Sequence, residues 1–340
     1  MAKNNAQIIY GALKKAGYTQ AYVHRMLPDW WDDELLENAS AKVELDLMLS
    51  RMFGLNLLSL LKEVPEIAFE IPENTKYKRS KKLDPQDLAG ATSLVQSVAK
   101  MVSKAVPHPF KGFSKTPKEI RNEILHNYAN RVSLMGLISF LWEMGIPTIH
   151  LSDLPDGLKK MDGMCLKVNG RPIIILCKTS SFQAWHLFIV AHELAHVALG
   201  HIETDEILVD YVVGEESYLL SDEDPEEIAA DNFALELLNG DAGIHYTSQR
   251  PANHAQLIDA AIRYQRENQV DAGHVILNYG HYNSAWPIAQ AALKKIDLGH
   301  APSTINQFLF DHLDFASLPR TSIEFLLKAA GFIEPISEGN

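Results

Sequence analysis

The segment Phe182-Gln-Ala-Trp-His-Leu-Phe-Ile-Val-Ala-His-Glu-Leu-Ala-His-Val-Ala-Leu-Gly200 sets the tightest limits on what this chain can fold into. It has no proline, no internal glycine and a glycine at its end, so it reads as a helix over about 182–199. Apolar residues occupy nearly every face, and a helix of that kind is buried. Yet it carries His192, Glu193 and His196. Buried imidazoles and carboxylates are costly unless paired, neutralised or bound to metal. His192 and His196 stand at i and i+4, so both point from one face toward one spot, as two ligands of a tetrahedral Zn²⁺ must. Glu193 can reach a zinc-bound water without binding the metal itself. There it is a candidate catalytic general base that returns the proton to the leaving amine. The plain alternative is a pair of ordinary core histidines.

A catalytic zinc takes a third protein ligand and leaves the fourth position for water. The segment Asp224-Pro-Glu-Glu-Ile-Ala-Ala-Asp-Asn-Phe-Ala-Leu-Glu-Leu-Leu238 reads as the next helix and offers Glu227 and Asp231, again at i and i+4. Glu227 is the favoured ligand, with Asp231 either its rival or the group that orients a zinc-binding histidine. The competing role for Glu227 is a capping box with Asp224. His201 follows Gly200, but glycine and histidine fall at offsets eight and nine from His192, not at the seven and ten of the long metzincin signature. It reads as a solvent-facing histidine at a helix C-terminus.

Ahead of these helices, 146–151 reads as a strand. The runs Met164–Val168 and Pro172–Leu176 flank Asn169-Gly170, a strong hairpin signal because both turn positions need positive φ. This hairpin is the candidate sheet edge for holding an extended substrate by strand addition. A helix begins at Asp84-Pro85 and another at Thr116-Pro117, the second predicted to run on to Gly145; several more fill 253–331. Residues 1–64 read as all-helical. A short helix starts at Thr19, and an apolar stripe runs through Val43, Leu47, Leu49, Met52, Phe53, Leu57, Leu58 and Leu61. The expected fold class is α+β and mostly helical, in four parts: a helical domain over 1–64, a linker and helical segment over 65–116, a zinc-binding core over 117–280 and a helical extension over 281–340.

Charge narrows the partners. The net −12 is uneven: residues 61–131 carry +5 and residues 132–340 carry −16. A phosphate backbone is repelled by the latter, so nucleic-acid contact is not expected there. The run Lys76–Lys82 reads as a solvated linker. Only two cysteines occur, Cys165 and Cys177, too few for a disulfide framework or a Cys-ligated zinc site, which points to a reducing cytoplasm. No apolar run reaches the roughly 18 residues of a membrane span. The amino terminus lacks the uninterrupted apolar stretch and cleavage site of a secretory signal.

The stretches Leu187–His196 and Glu227–Leu238 resemble those of the ImmA/IrrE family of zinc metallo-endopeptidases, the second being similar to that family's Glu-x-x-Ala-x-x-Phe-Ala-x-x-Leu-Leu helix. The resemblance covers about 117–280. It implies a zincin-like core, with His192 and His196 as metal ligands, Glu193 as the base and the acidic helix as source of the third ligand. It also implies a protein substrate of the helix-turn-helix repressor kind in a bacterial or phage-related setting; an antitoxin-like regulatory protein is the other expected partner, and a toxin-antitoxin module goes with the non-cutting alternative. Residues 1–64 are similar in layout to the helix-turn-helix domains fused to that family. Where the recognition helix belongs, however, Asp29–Glu37 is acidic and has no Arg or Lys for bases or phosphates. DNA reading is therefore not expected; Trp30 and Trp31 stand there as protein-docking anchors or as core. The rival to an endopeptidase is a regulator or toxin-like binding protein that does not cut. Candidates for an oxyanion donor are His201, Tyr211, His245, His281 and Tyr282, with no basis in the sequence for choosing among them.

Overall fold

The computed structural model describes residues 2–62, 64–71, 75–78, 85–155, 162–202, 207–210, 224–246, 251–297 and 299–332. Tyr211, Asp84 and residues 79–82 lie outside them. The chain is α+β and mostly helical, with one small sheet. In chain order the elements are α1 (Ala2–Lys15), α2 (Gln20–Met26), α3 (Ala39–Phe53), α4 (Leu57–Leu60), β1 (Lys76–Lys78), α5 (Pro85–Ala105), α6 (Pro117–Asn127), α7 (Leu134–Met144), β2 (Thr148–His150), β3 (Gly163–Val168), β4 (Arg171–Leu176), α8 (Gln183–Ala198), β5 (Ile207–Asp210), α9 (Pro225–Asn239), α10 (His254–Asn268), α11 (Ala272–Tyr282), α12 (Trp286–Ile296), α13 (Ala301–His312) and α14 (Arg320–Ala329).

The sheet runs in the order β1-β5-β3-β4-β2. β3 and β4 form the predicted hairpin: Asn169 and Gly170 have φ of 51° and 79°, and Val168 pairs with Arg171. Both faces are buried. Met164, Leu166, Ile173 and Ile175 face α5 and the N-terminal helices, while Cys165, Ile174 and Leu176 face α8. Alternation along each strand thus feeds two cores, and the sheet reads as continuous apolar runs because neither side meets water. The hairpin is not a sheet edge, contrary to expectation. β5 pairs with β3 on one side and β2 with β4 on the other, so both its ladders are taken.

The predicted helix from Thr116 to Gly145 is two helices. Thr116 and Glu119 close a capping box at the start of α6. Ser133, whose hydroxyl accepts the Gly136 N–H, starts a new helix, and Val132 bridges to Val270 between them. A serine competent to cap outweighs the periodicity that ran through it. In the N-terminal helices Leu49, Met52 and Phe53 are buried as expected, but Val43, Leu47, Leu58 and Leu61 are exposed. The acidic stretch does not form an α-helix: Asp33–Glu37 is a 3-10 helix capped by Asp32. Trp31 packs against the core and donates to Asp33 at 3.2 Å, whereas Trp30 is 49% exposed.

The core of the N-terminal helices is continuous with α5, α13 and α14. Arg25 grips the Asp153 carboxylate, and the Lys328 ammonium donates to the Leu27 carbonyl at 2.7 Å. Arg121 performs a similar service on the α9 side. Its guanidinium donates to the carbonyls of Leu237, Leu238, Asn268 and Gln269, so it satisfies the open C-terminal ends of α9 and α10 together. No helix among the described residues is long and apolar enough to cross a membrane.

Candidate metal centre

α8 is helical where predicted and buried from Ala184 to Val197. One flank lies on β3 and β4, and α7, α9 and α11 cover the others. Its first turn has no side-chain cap of its own; Asp297 accepts from Ala184 N–H at 3.2 Å instead. It ends at Gly200, whose φ is +73°, as His201 N–H turns back to the His196 carbonyl at 2.9 Å.

α9 is held at its start by Asp224, which accepts from Glu226 N–H, and by Pro225. Ala230 and Ala234, both fully buried, share the face of Glu227 and Asp231 and let α9 lie close along α8. Glu227 therefore faces inward with no exposure, and its two carboxylate oxygens each approach an imidazole. His192 Nε2 stands 3.4 Å from Oε2, His196 Nε2 stands 3.5 Å from Oε1, and the two Nε2 atoms are 3.1 Å apart.

These three donors fit zinc. With bonds of about 2.1 Å, two ligand atoms of a tetrahedral Zn²⁺ lie roughly 3.4 Å apart; each imidazole meets a different Glu227 oxygen at about that separation, and one donor atom from each of the three side chains lies within 4.8 Å of the others. The charge balance agrees. Glu193, Glu227 and Asp231 are at most 5% exposed and are gathered beside the two imidazoles. A divalent cation offsets that concentration of buried acid. Among the described residues, His192, His196 and Glu227 are the group that could hold a metal ion.

Each histidine is oriented from behind. His192 Nδ1 lies 2.8 Å from Asp231 Oδ1. A carboxylate only accepts, so a neutral His192 carries its hydrogen on Nδ1 and aims the Nε2 lone pair into the cluster. His196 Nδ1 lies 2.9 Å from His201 Nδ1, which can accept in the same way. His201 is half-buried on that ring, not solvent-facing as expected from its place after Gly200. Backbone closure at Gly200 swings it under the helix end, a result of the left-handed turn that the sequence spacing alone did not disclose. Asp231 takes the orienting position and Glu227 the inner one.

Glu193 is fully buried against β3. A Cβ on Gly163 would come within 2.7 Å of Glu193 Oε1 and 2.6 Å of Ile189 Cγ2, so only glycine admits the carboxylate at this approach. Gly163 is a positioning residue that the sequence reading missed; a glycine opening an apolar strand beside the zinc-helix signature was the available signal. The Gly163→Ala variant is expected to cost about 1–3 kcal/mol through overpacking, measured by its urea midpoint. Metal content should stay at the parent value, because the ligands lie elsewhere.

Among the oxyanion candidates, His201 touches the His196 ring, and His281 and Tyr282 feel the charge of Asp231. Burial lowers the His281 pKa and the Asp231 charge raises it; burial and then that same charge raise the Tyr282 pKa. His245 stacks on the Tyr282 ring at 3.8 Å. Comparison of the chain with protein-family models, curated proteins and solved structures returned no match.

Proposed function

We propose that this chain is a cytoplasmic zinc-dependent endopeptidase with a zincin-like core, in which His192, His196 and Glu227 hold the metal and Glu193 is the general base. The observation that carries this reading is the convergence of the His192, His196 and Glu227 donor atoms within 4.8 Å of one another, with Glu193 next in the chain to His192. Bound there, Zn²⁺ supplies Lewis acidity that activates water and polarises a carbonyl near pH 7. Glu193 takes the proton of the attacking water and passes it to the departing amine. Asp231 and His201 keep both rings turned toward the metal.

The substrate class we propose is a regulatory protein of the helix-turn-helix repressor or antitoxin kind, on the strength of the sequence resemblance. The exposed Trp30, set among Asp29, Asp32 and Asp33, favours protein over DNA as the contact of the N-terminal helices. The same feature supports the rival reading, a binding regulator that does not cut.

The Glu193→Gln variant separates the two. It should hold zinc at the parent stoichiometry by elemental analysis while cleavage of a partner encoded beside it falls 10²–10⁴-fold, the usual span of acid–base catalysis. Full biological activity in that variant would give the answer to the binding reading.

A further inference from the structure

β3 is the strand that touches the base: Gly163 lies against the Glu193 carboxylate. A peptide bound at this site by strand addition would run beside that strand and take main-chain hydrogen bonds along its edge. In this structure that edge is taken. Ile207–Asp210 pairs antiparallel with β3, Asp210 opposite Gly163, Val209 opposite Met164, Leu208 opposite Cys165 and Ile207 opposite Leu166. Its direction is that of an added antiparallel strand, and its last residue lies one strand spacing, about 5 Å, from the glycine at the base.

Three further observations set β5 apart from the sheet's other interior strands. It comes from the segment between His196 and Glu227 in the chain. It is four residues long, against six for β3 and β4. Among the described residues, α8 packs across β3 and β4, and the contacts of β5 are chiefly with β3 and with the three-residue β1 outside it. A short ladder opens at lower free-energy cost than a long one.

Resting on the metallopeptidase reading above, we propose that the β3 edge is the binding surface for an extended peptide and that Ile207–Asp210 occupies it in cis, as an internal strand that a substrate must displace. The partner chemistry is a peptide backbone in extended conformation, added antiparallel to β3. No bond is made or broken in this step; one hydrogen-bonded strand replaces another. The resting protein is then closed to peptides at the edge, while a small metal-directed probe needs only the metal.

The test uses the full-length protein in three forms. Leu208→Pro and Val209→Pro each remove one amide hydrogen, and because adjacent amides point to opposite sides, one of the two variants loses a bond to β3. The Leu208→Cys variant does the reverse. Its Cα lies opposite that of Cys165, a spacing of about 4.5–5.5 Å that a disulfide spans. A fluorescein-tagged synthetic peptide of residues 204–213 is titrated by anisotropy, with and without chelator. A dipeptidyl hydroxamate and acetohydroxamate are titrated on the zinc-loaded forms.

The tagged peptide and the dipeptidyl hydroxamate should bind one of the proline variants at least tenfold more tightly than the parent. Both should lose binding to the oxidised Leu208→Cys form and regain it on reduction, and acetohydroxamate should bind all forms alike. Equal peptide binding to the parent, proline and oxidised forms would overturn the proposal while leaving the zinc reading intact. Peptide binding that follows the expected order in a protein without stoichiometric zinc would sustain the strand and sink the metal.

Discussion

Replacing Glu227 with alanine is expected to weaken zinc binding by two to three orders of magnitude. Apparent zinc-site free energies of roughly 10–16 kcal/mol, shared among four positions, assign about 2.5–4 kcal/mol to each ligand. Asp231→Asn, in contrast, should cost only about ten- to a hundredfold, the usual effect of losing a group behind a ligating histidine. The geometry makes this a sharp contrast, since Glu227 faces both Nε2 atoms and Asp231 faces only the far nitrogen of His192. Competition titrations with a chromophoric chelator, run on both variants, decide it. If Asp231→Asn released the metal and Glu227→Ala kept it, the assignment of ligand and orienting group would be reversed.

The second large effect is acid unfolding. His150, His186 and His274 are buried, and burial holds their pKa values at about 4, about 3 and about 3. His150 and His186 also face one another with ring centroids 5.2 Å apart, near the buried Lys178, so a proton on either is opposed by its neighbours. In the unfolded chain each titrates near 6.5. Stability is therefore intact above about pH 6.5 and falls as the pH drops toward 4, because the unfolded state binds protons that the fold refuses. Each histidine contributes a slope of about 1.4 kcal/mol per pH unit, or about 4 kcal/mol for the three. Against a net stability of roughly 5–15 kcal/mol, unfolding is expected between about pH 5 and pH 3. Urea melts at pH 7, 6 and 5 followed by tryptophan fluorescence measure the slope. A His186→Gln variant should flatten it by about a third, and an unchanged slope would remove this histidine from the account.

His150 and His186 illustrate what sequence reading passes over. Neither lies in a recognisable motif, and their surroundings come from distant strands and loops: His150 Nε2 contacts the Lys178 carbonyl at 2.9 Å, and Asn306 donates to the His150 carbonyl at 2.8 Å. The sheet edge is a second case. The Asn169-Gly170 turn was legible because its two residues specify positive φ locally. What lies beside the hairpin depends on β2 and β5, whose pairing with it is long-range. The break at Ser133 is a third, where a local cap competed with helical periodicity and won.

The amino-acid sequence by itself determined the zinc-helix candidate, with its two histidines one turn apart, the caps at Thr116 and Asp224, the hairpin turn, and the buried character of α8. All of these rest on spacings of four residues or fewer, where helix and turn geometry fixes relative direction. Only the tertiary structure decided that Glu227 is the inner carboxylate and Asp231 the outer one, that His201 backs His196, that Gly163 makes room for Glu193, and that β5 covers β3. Those relations depend on how α9 and β3 pack on α8, and a one-turn slide of α9 or a one-residue register slip of β3 would have changed them without altering any local signal.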